Sequence, residues 1–231
     1  NKDGKQNFID MVAYMDHCVG RIEDTLIEHG LRENTLMIFT ADNGTSSSLT
    51  LDFFGTERKG GKGYTHDHGT KVPLVVNLPG CIQAGQVNKD LICFSDLFPT
   101  IVEAADLPPK KIDQGDGWSF WPQCLGKEGK KREWIYGYYF PRPFSKQFDM
   151  KYSHWEVAWV RNKHYKLYRD GRFFDVINDV REEKPLGENK KISAARKSLQ
   201  TGLNEYPEKG TKINYELVTG VRKVCLLYTS D

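Results

Sequence analysis

Asp42, Asn43 and Gly44 close an apolar stretch, Leu36-Met-Ile-Phe-Thr40, and Lys62 follows between two glycines in Gly61-Lys62-Gly63. A carboxylate beside a carboxamide offers two hard oxygen donors, the ligand type that calcium accepts. Gly44 lets the backbone leave the strand without a side-chain clash. The Lys62 ammonium is a compact point charge suited to a tetrahedral oxyanion. As a set, these residues predict an anion held beside a divalent cation. Each piece also has a plainer reading: Asp-Asn-Gly is a favoured turn sequence, and Gly-Gly-Lys-Gly serves as a solvated loop. A phosphate-binding P-loop is excluded, because the spacing of that motif is absent.

Such side chains need a sheet behind them. Open α/β sheets bind ligands at the carboxyl ends of their strands, and the continuous apolarity of Leu36 to Thr40 reads as a parallel strand covered on both faces. Ahead of it Phe8, Met11, Val12, Met15, Val19, Ile22 and Leu26 recur at helical steps and predict an amphipathic helix. Thr45 to Lys59 is polar and reads as a loop over the strand edge. Lys71 to Leu78 predicts a second strand, with Pro73 near its start, where a missing amide is tolerated. Leu91 to Ala105 ends in a helix with Pro99 in its first turn. Gly115 to Lys131, rich in Gly and Lys, reads as a linker. Beyond it Trp134–Phe140, Trp155–Val160, His164–Tyr168 and Phe173–Ile177 are short strands without intervening helices. They predict a small antiparallel sheet with a hairpin around Arg161-Asn162-Lys163. Ile192 to Tyr206 is a final helix.

The bulk properties narrow the function classes. The chain has 231 residues, with 33 basic and 31 acidic side chains and a net charge of +2. That balance argues against a nucleic-acid binder, which shows a basic excess. No apolar run approaches the roughly 20 residues of a membrane span. The five cysteines show no CxxC spacing and support neither a zinc site nor a disulfide framework. The chain starts at Asn1, so a missing leader is no argument for the cytoplasm. Cys225-Leu-Leu-Tyr-Thr-Ser-Asp231 reads as one frame of a common sequencing-library adapter. The expectation is a metagenomic fragment, truncated in front and foreign in its last seven residues.

The order of the clusters is more specific than any one of them. Asp42-Asn43-Gly44, Gly61-Lys62-Gly63, Asp67-His68-Gly69-Thr70-Lys71-Val72-Pro73 and Leu78-Pro79-Gly80 follow one another. This resembles the type I sulfatases (arylsulfatase-like) of the alkaline phosphatase superfamily, whose text runs Asp-Asn-Gly, Gly-Lys-Gly, acid-Gly-Gly-x-Arg-Val-Pro and Trp-Pro-Gly. Asp96-Leu-Phe-Pro-Thr-Ile-Val-Glu-Ala-Ala105 is similar to the family's next helix. Arg161-Asn-Lys-His-Tyr-Lys-Leu167 and Phe174-Asp175-Val176 look like its closing strands. The likeness covers most of residues 10 to 185.

The resemblance implies an α/β fold: the C-terminal part of an alkaline-phosphatase-like α/β sandwich plus a small antiparallel sheet with a helix. Residues 1–126 then form the C-terminal half of the catalytic domain, 127–224 a small α+β subdomain, and 225–231 a non-native tail. It further implies a sulfuric ester hydrolase. Asp42 and Asn43 match ligands of a divalent cation, usually Ca2+, and Lys62 matches the lysine that contacts the sulfate ester. The family's nucleophile is a formylglycine made from cysteine in Cys-x-Pro-Ser-Arg or a close variant. None of the five cysteines has that setting, so the formylglycine is expected in a missing N-terminal half and the fragment alone is expected to be inactive. The implied substrate is a sulfate ester, with a sulfated carbohydrate as the candidate form, and the implied location is periplasmic or secreted in a bacterium.

His66 and His68 depart from the family pattern, as does Lys71 in place of arginine. The histidines are candidates for contacting substrate or protonating a leaving group. On opposite sides of an extended segment they would not both face the site easily, and plain packing histidines remain the alternative. Trp118, Trp121, Trp134, Trp155 and Trp159 read either as packing or as a sugar platform. Two other functions stay open: a phosphoesterase or phosphonate hydrolase of the same superfamily, and a non-catalytic carbohydrate-binding module.

Overall fold

The structure is a computed structural model and describes residues 4–108, 116–139 and 157–206. The expected adapter-derived tail at 225–231, Phe140 and Trp155 lie outside the described residues.

The helical spacing of the first segment produces α1 (Gly4–Glu28). A short 3-10 turn, Arg32–Asn34, follows. Arg32 is buried there, and it pins the end of α1 to the sheet. Its Nε donates to Glu23 Oε1 at 2.9 Å, and its Nη2 donates to Asn77 Oδ1. Next comes β1 (Met37–Thr40), paired with β4 (Leu74–Asn77), Met37 opposite Asn77 and Thr40 opposite Leu74.

That pairing is antiparallel, which corrects the parallel strand read from the sequence. The cause is the connection. The chain leaves at Asp42 and returns at Pro73 to the same sheet edge, where Gly44 N donates to Gly69 O at 3.0 Å and Thr40 Oγ1 donates to Pro73 O at 2.8 Å. A chain that closes where it opened must run back. All four residues of β1 are half-buried, and α1 buries none of its side chains fully.

The stretch read as a polar loop contains a hairpin, β2 (Thr50–Phe53) and β3 (Thr56–Lys59). A single helical turn, α2 (Asp67–Thr70), precedes Pro73 and β4. A 3-10 turn at Phe94–Asp96 leads into α3 (Leu97–Ala104), with Pro99 in its first turn as expected.

Residues 116–131 are structured, not a free linker. Trp118 N donates to Asp96 Oδ1 at 2.7 Å and Phe120 N to Thr100 Oγ1 at 3.0 Å. Phe120 is 4% exposed, and α4 (Trp121–Cys124) follows it. A buried aspartate and threonine of the neighbouring helical segment satisfy the backbone of this stretch, which local glycine content cannot reveal.

The last part is a four-stranded antiparallel meander, β5 (Ile135–Tyr139), β6 (Val157–Arg161), β7 (Tyr165–Tyr168) and β8 (Phe173–Asp175), as predicted. One face carries Val160, Leu167 and Phe173, which meet Leu199 and Leu203 of α5 (Ser193–Asn204). The other face carries Trp159, Tyr168 and Phe174, together with Lys166 and Arg161. Trp159 and Trp134 therefore pack, and Trp118 is covered by Lys130, 3.5 Å from its ring centre. No helix among the described residues is long and apolar enough to cross a membrane.

Candidate active site

Three segments are fitted together at the carboxyl end of β1, and glycine permits the fit. A β-carbon on Gly44 would stand 1.8 Å from the His68 carbonyl oxygen. One on Gly61 would stand 2.5 Å from His66 Cε1 and 2.7 Å from the His68 carbonyl carbon. Thr45 O accepts from Gly61 N at 3.0 Å and from Lys62 N at 2.9 Å. The Asp-Asn-Gly turn, the Gly-Lys-Gly loop and the His66–Gly69 turn thus form one backbone unit. It carries all five residues singled out from the sequence.

Their side chains are differently committed. Asp42 and Lys62 are exposed and Asn43 is half-buried. Among the described residues none of these three side chains has a hydrogen-bond or ion-pair partner. No three His, Cys, Asp or Glu residues cluster as a metal site among the described residues. Asp42 and Asn43 therefore fit a hard cation as part of a shell: two oxygen donors on a fixed turn, with further donors needed from elsewhere.

The histidines correct the extended-segment argument. The chain turns helical at Asp67, so His66 and His68 are not on opposite sides. Their rings meet edge to face, 5.7 Å between centres. His68 Nδ1 lies 2.8 Å from Lys59 O. A carbonyl only accepts, so Nδ1 carries a proton. His66 stacks on Tyr64 at 5.3 Å, and its buried Nδ1 has no partner among the described residues. Burial, then the charges of His68, Lys166 and Arg181, push His66 down to about 4 against the pull of Asp67. At neutral pH it is an uncharged imidazole.

Beneath this unit lies a buried polar group that sequence reasoning passed over. Lys166, 0% exposed, donates to Thr65 O and, at 2.8 Å, to Glu182 Oε1. Tyr168 Oη donates to Glu182 Oε2 and lies 2.8 Å from Thr65 Oγ1. Asp67, the acid of the acid-Gly-Gly pattern, is bound by Arg161 at 2.6 Å. Burial pushes Lys166 down to about 8, opposed chiefly by Glu182. Burial and Glu182 push Tyr168 up. The C-terminal sheet thus holds the histidine turn from below. A lysine between tyrosine and leucine on a strand was the available signal.

The sulfatase family profile matches residues 3–107, and the profile described as N-sulphoglucosamine sulphohydrolase, C-terminal, matches residues 58–209, well over half of the chain. This chain belongs to the sulfatase family. Among curated sulfatases, the "Ulvan-active sulfatase" of Formosa agariphila is 29% identical over 160 residues, 69% of this chain and 28% of that protein. A second "Sulfatase" of Formosa agariphila is 30% identical over 212 residues, 82% of this chain and 36% of that protein. The solved structure of Ps i-CgsB in complex with k-i-k-neocarrahexaose superposes with a TM-score of 0.67 at 23% identity, covering 89% of this chain and 43% of that one. The fold is therefore the sulfatase α/β fold, and the chain spans about a third of the length of these curated sulfatases.

Proposed function

We propose that this chain is the C-terminal portion of a sulfuric ester hydrolase, with residues 1–126 in its catalytic domain. One observation carries the proposal. Among the described residues Asp42, Asn43 and Lys62 stand uncommitted on a single glycine-fitted backbone unit, while the neighbouring Asp67 is consumed by Arg161. Asp42 and Asn43 would hold the divalent cation, in our reading Ca2+. Bound there, it would supply Lewis-acid polarisation of the sulfate oxygens.

Lys62 would contact the sulfate and offset charge developing on the departing alcohol oxygen. Its backbone amide is tied to Thr45, so the ammonium swings from a fixed base. His68, its ring held by the contact of Nδ1 with Lys59 O, would contact the substrate, and neutral His66 would fix the plane of the turn through Tyr64. The nucleophile, a formylglycine, would be supplied by a segment of the enzyme other than these 231 residues. A sulfated carbohydrate is the substrate we favour, supported by relatives named for ulvan and for a bound neocarrahexaose. A periplasmic or secreted location goes with it.

The test is calcium titration, by calorimetry, of the complete enzyme that carries this chain. Saturable binding that disappears in Asp42→Ala with the fold retained is expected, and undiminished binding in that variant would refute the ligand assignment. This chain alone should release no sulfate from an aryl sulfate; measurable turnover would overturn the view that the nucleophile lies elsewhere.

A further inference from the structure

The hairpin β2–β3 sits between the Asp42-Asn43 turn and Lys62, and it is built against its own stability. Its turn is Phe54-Gly55, with φ of 51° and 78°. A left-handed pair suits a two-residue hairpin, where Asn-Gly is the favoured choice. A phenylalanine there is strained, and Phe54 is 94% exposed, so no burial compensates. Asp52 stands opposite Glu57, a repulsive cross-strand pair. Gly55 and the Asp52 carboxylate, accepting from Gly55 N at 3.0 Å, favour the turn locally.

The register sorts the side chains. Both acids share one face. The other carries Leu51, Phe53, Thr56 and Arg58, with no acid. Arg58 lies 4.8 Å from the Phe53 ring centre, and Phe53 meets Phe54 edge to face at 4.8 Å. Exposed aromatics beside a guanidinium are matched to a ligand with apolar ring faces and anionic oxyanion groups, because the guanidinium fork fits such oxygens. The base of the hairpin is tied to the site, His68 Nδ1 to Lys59 O and Gly60 N to Leu49 O at 2.8 Å each. Four strand residues carry the tip about 13 Å outward.

We propose that Phe53, Phe54 and Arg58 form a subsite for a sulfated sugar unit adjacent to the one being hydrolysed, so that the site takes oligomeric sulfated carbohydrates. The inference rests on the sulfatase reading above. Ring stacking on the phenylalanines supplies the contact, and Arg58 takes the neighbouring sulfate.

The test is affinity electrophoresis of the 231-residue chain through gels holding dextran sulfate, dextran or polyphosphate. Wild type should be retarded by dextran sulfate, with apparent affinity about tenfold weaker in Phe53→Ala/Phe54→Ala and in Arg58→Ala. Dextran should retard neither, and polyphosphate binding should be lost in Arg58→Ala only. Unchanged dextran sulfate affinity in the double phenylalanine variant overturns the subsite. So does an equal loss on polyphosphate, which would show charge alone, or a change in sedimentation mass, which would show a contact between copies. Calcium binding dependent on Asp42 separates the two readings: if it persists while the hairpin result fails, the subsite falls and the catalytic assignment stands.

Discussion

The N-terminal layer and the C-terminal sheet solve opposite problems. In the sheet and the helix on it, Val160, Leu167, Phe173 and Leu199 are 0% exposed, and Lys166 and Arg161 are paired with Glu182 and Asp67. In the layer, Met11 is 58% and Ile22 57% exposed, and the Asp42, Asn43 and Lys62 side chains have no partner among the described residues. The difference teaches where stability and chemistry reside. The C-terminal sheet supplies a rigid floor through the Lys166–Glu182–Tyr168 group, and the glycine-fitted layer supplies reactive side chains that are free to bind.

The sharpest way to break this division is to attack the floor. Glu182→Ala leaves Lys166 buried and uncompensated, and should cost about 3–5 kcal/mol in denaturant unfolding. Phe173→Ala should cost a similar ~3–5 kcal/mol by leaving a cavity, whereas Met11→Ala should stay within ~0.5 kcal/mol. Equal losses at Phe173 and Met11 would erase the contrast.

Acid tests the junction between the regions. The folded His66 pKa of about 4 lies below the ordinary 6.5, so the unfolded chain binds more protons between those values. Stability should be full above pH 6.5 and fall as pH drops toward 4. His66→Gln should flatten that slope in thermal melts across the window, and an unchanged slope would place the titration elsewhere. The smallest stability effect belongs to the reactive residues. Asp42→Ala and Lys62→Ala should shift unfolding by no more than ~0.5 kcal/mol, and a large loss would show that they are structural after all.

Much of the fold was legible because local period and burial agree. The meander and its hairpin around Asn162 alternate cleanly, and α1 and α5 follow helical spacing. The strand direction of β1 was not, since antiparallel return depends on Gly44 meeting Gly69, twenty-five positions away. The hold of Arg161 on Asp67, ninety-four residues earlier, was equally hidden, because an ion pair between distant segments leaves no local pattern.

The sequence by itself determined the chemical inventory: Asp42, Asn43, Lys62 and the two histidines, their order, and the family to which that order belongs. It also determined the glycines, whose missing β-carbons are a covalent fact. Tertiary structure alone decided which charges are spent and which remain available. Asp67 and Lys166 are neutralised by partners distant in the chain, and His66 is kept uncharged by burial. Burial and pairing are properties of neighbours in space, and neighbours in space are set only when the chain closes on itself.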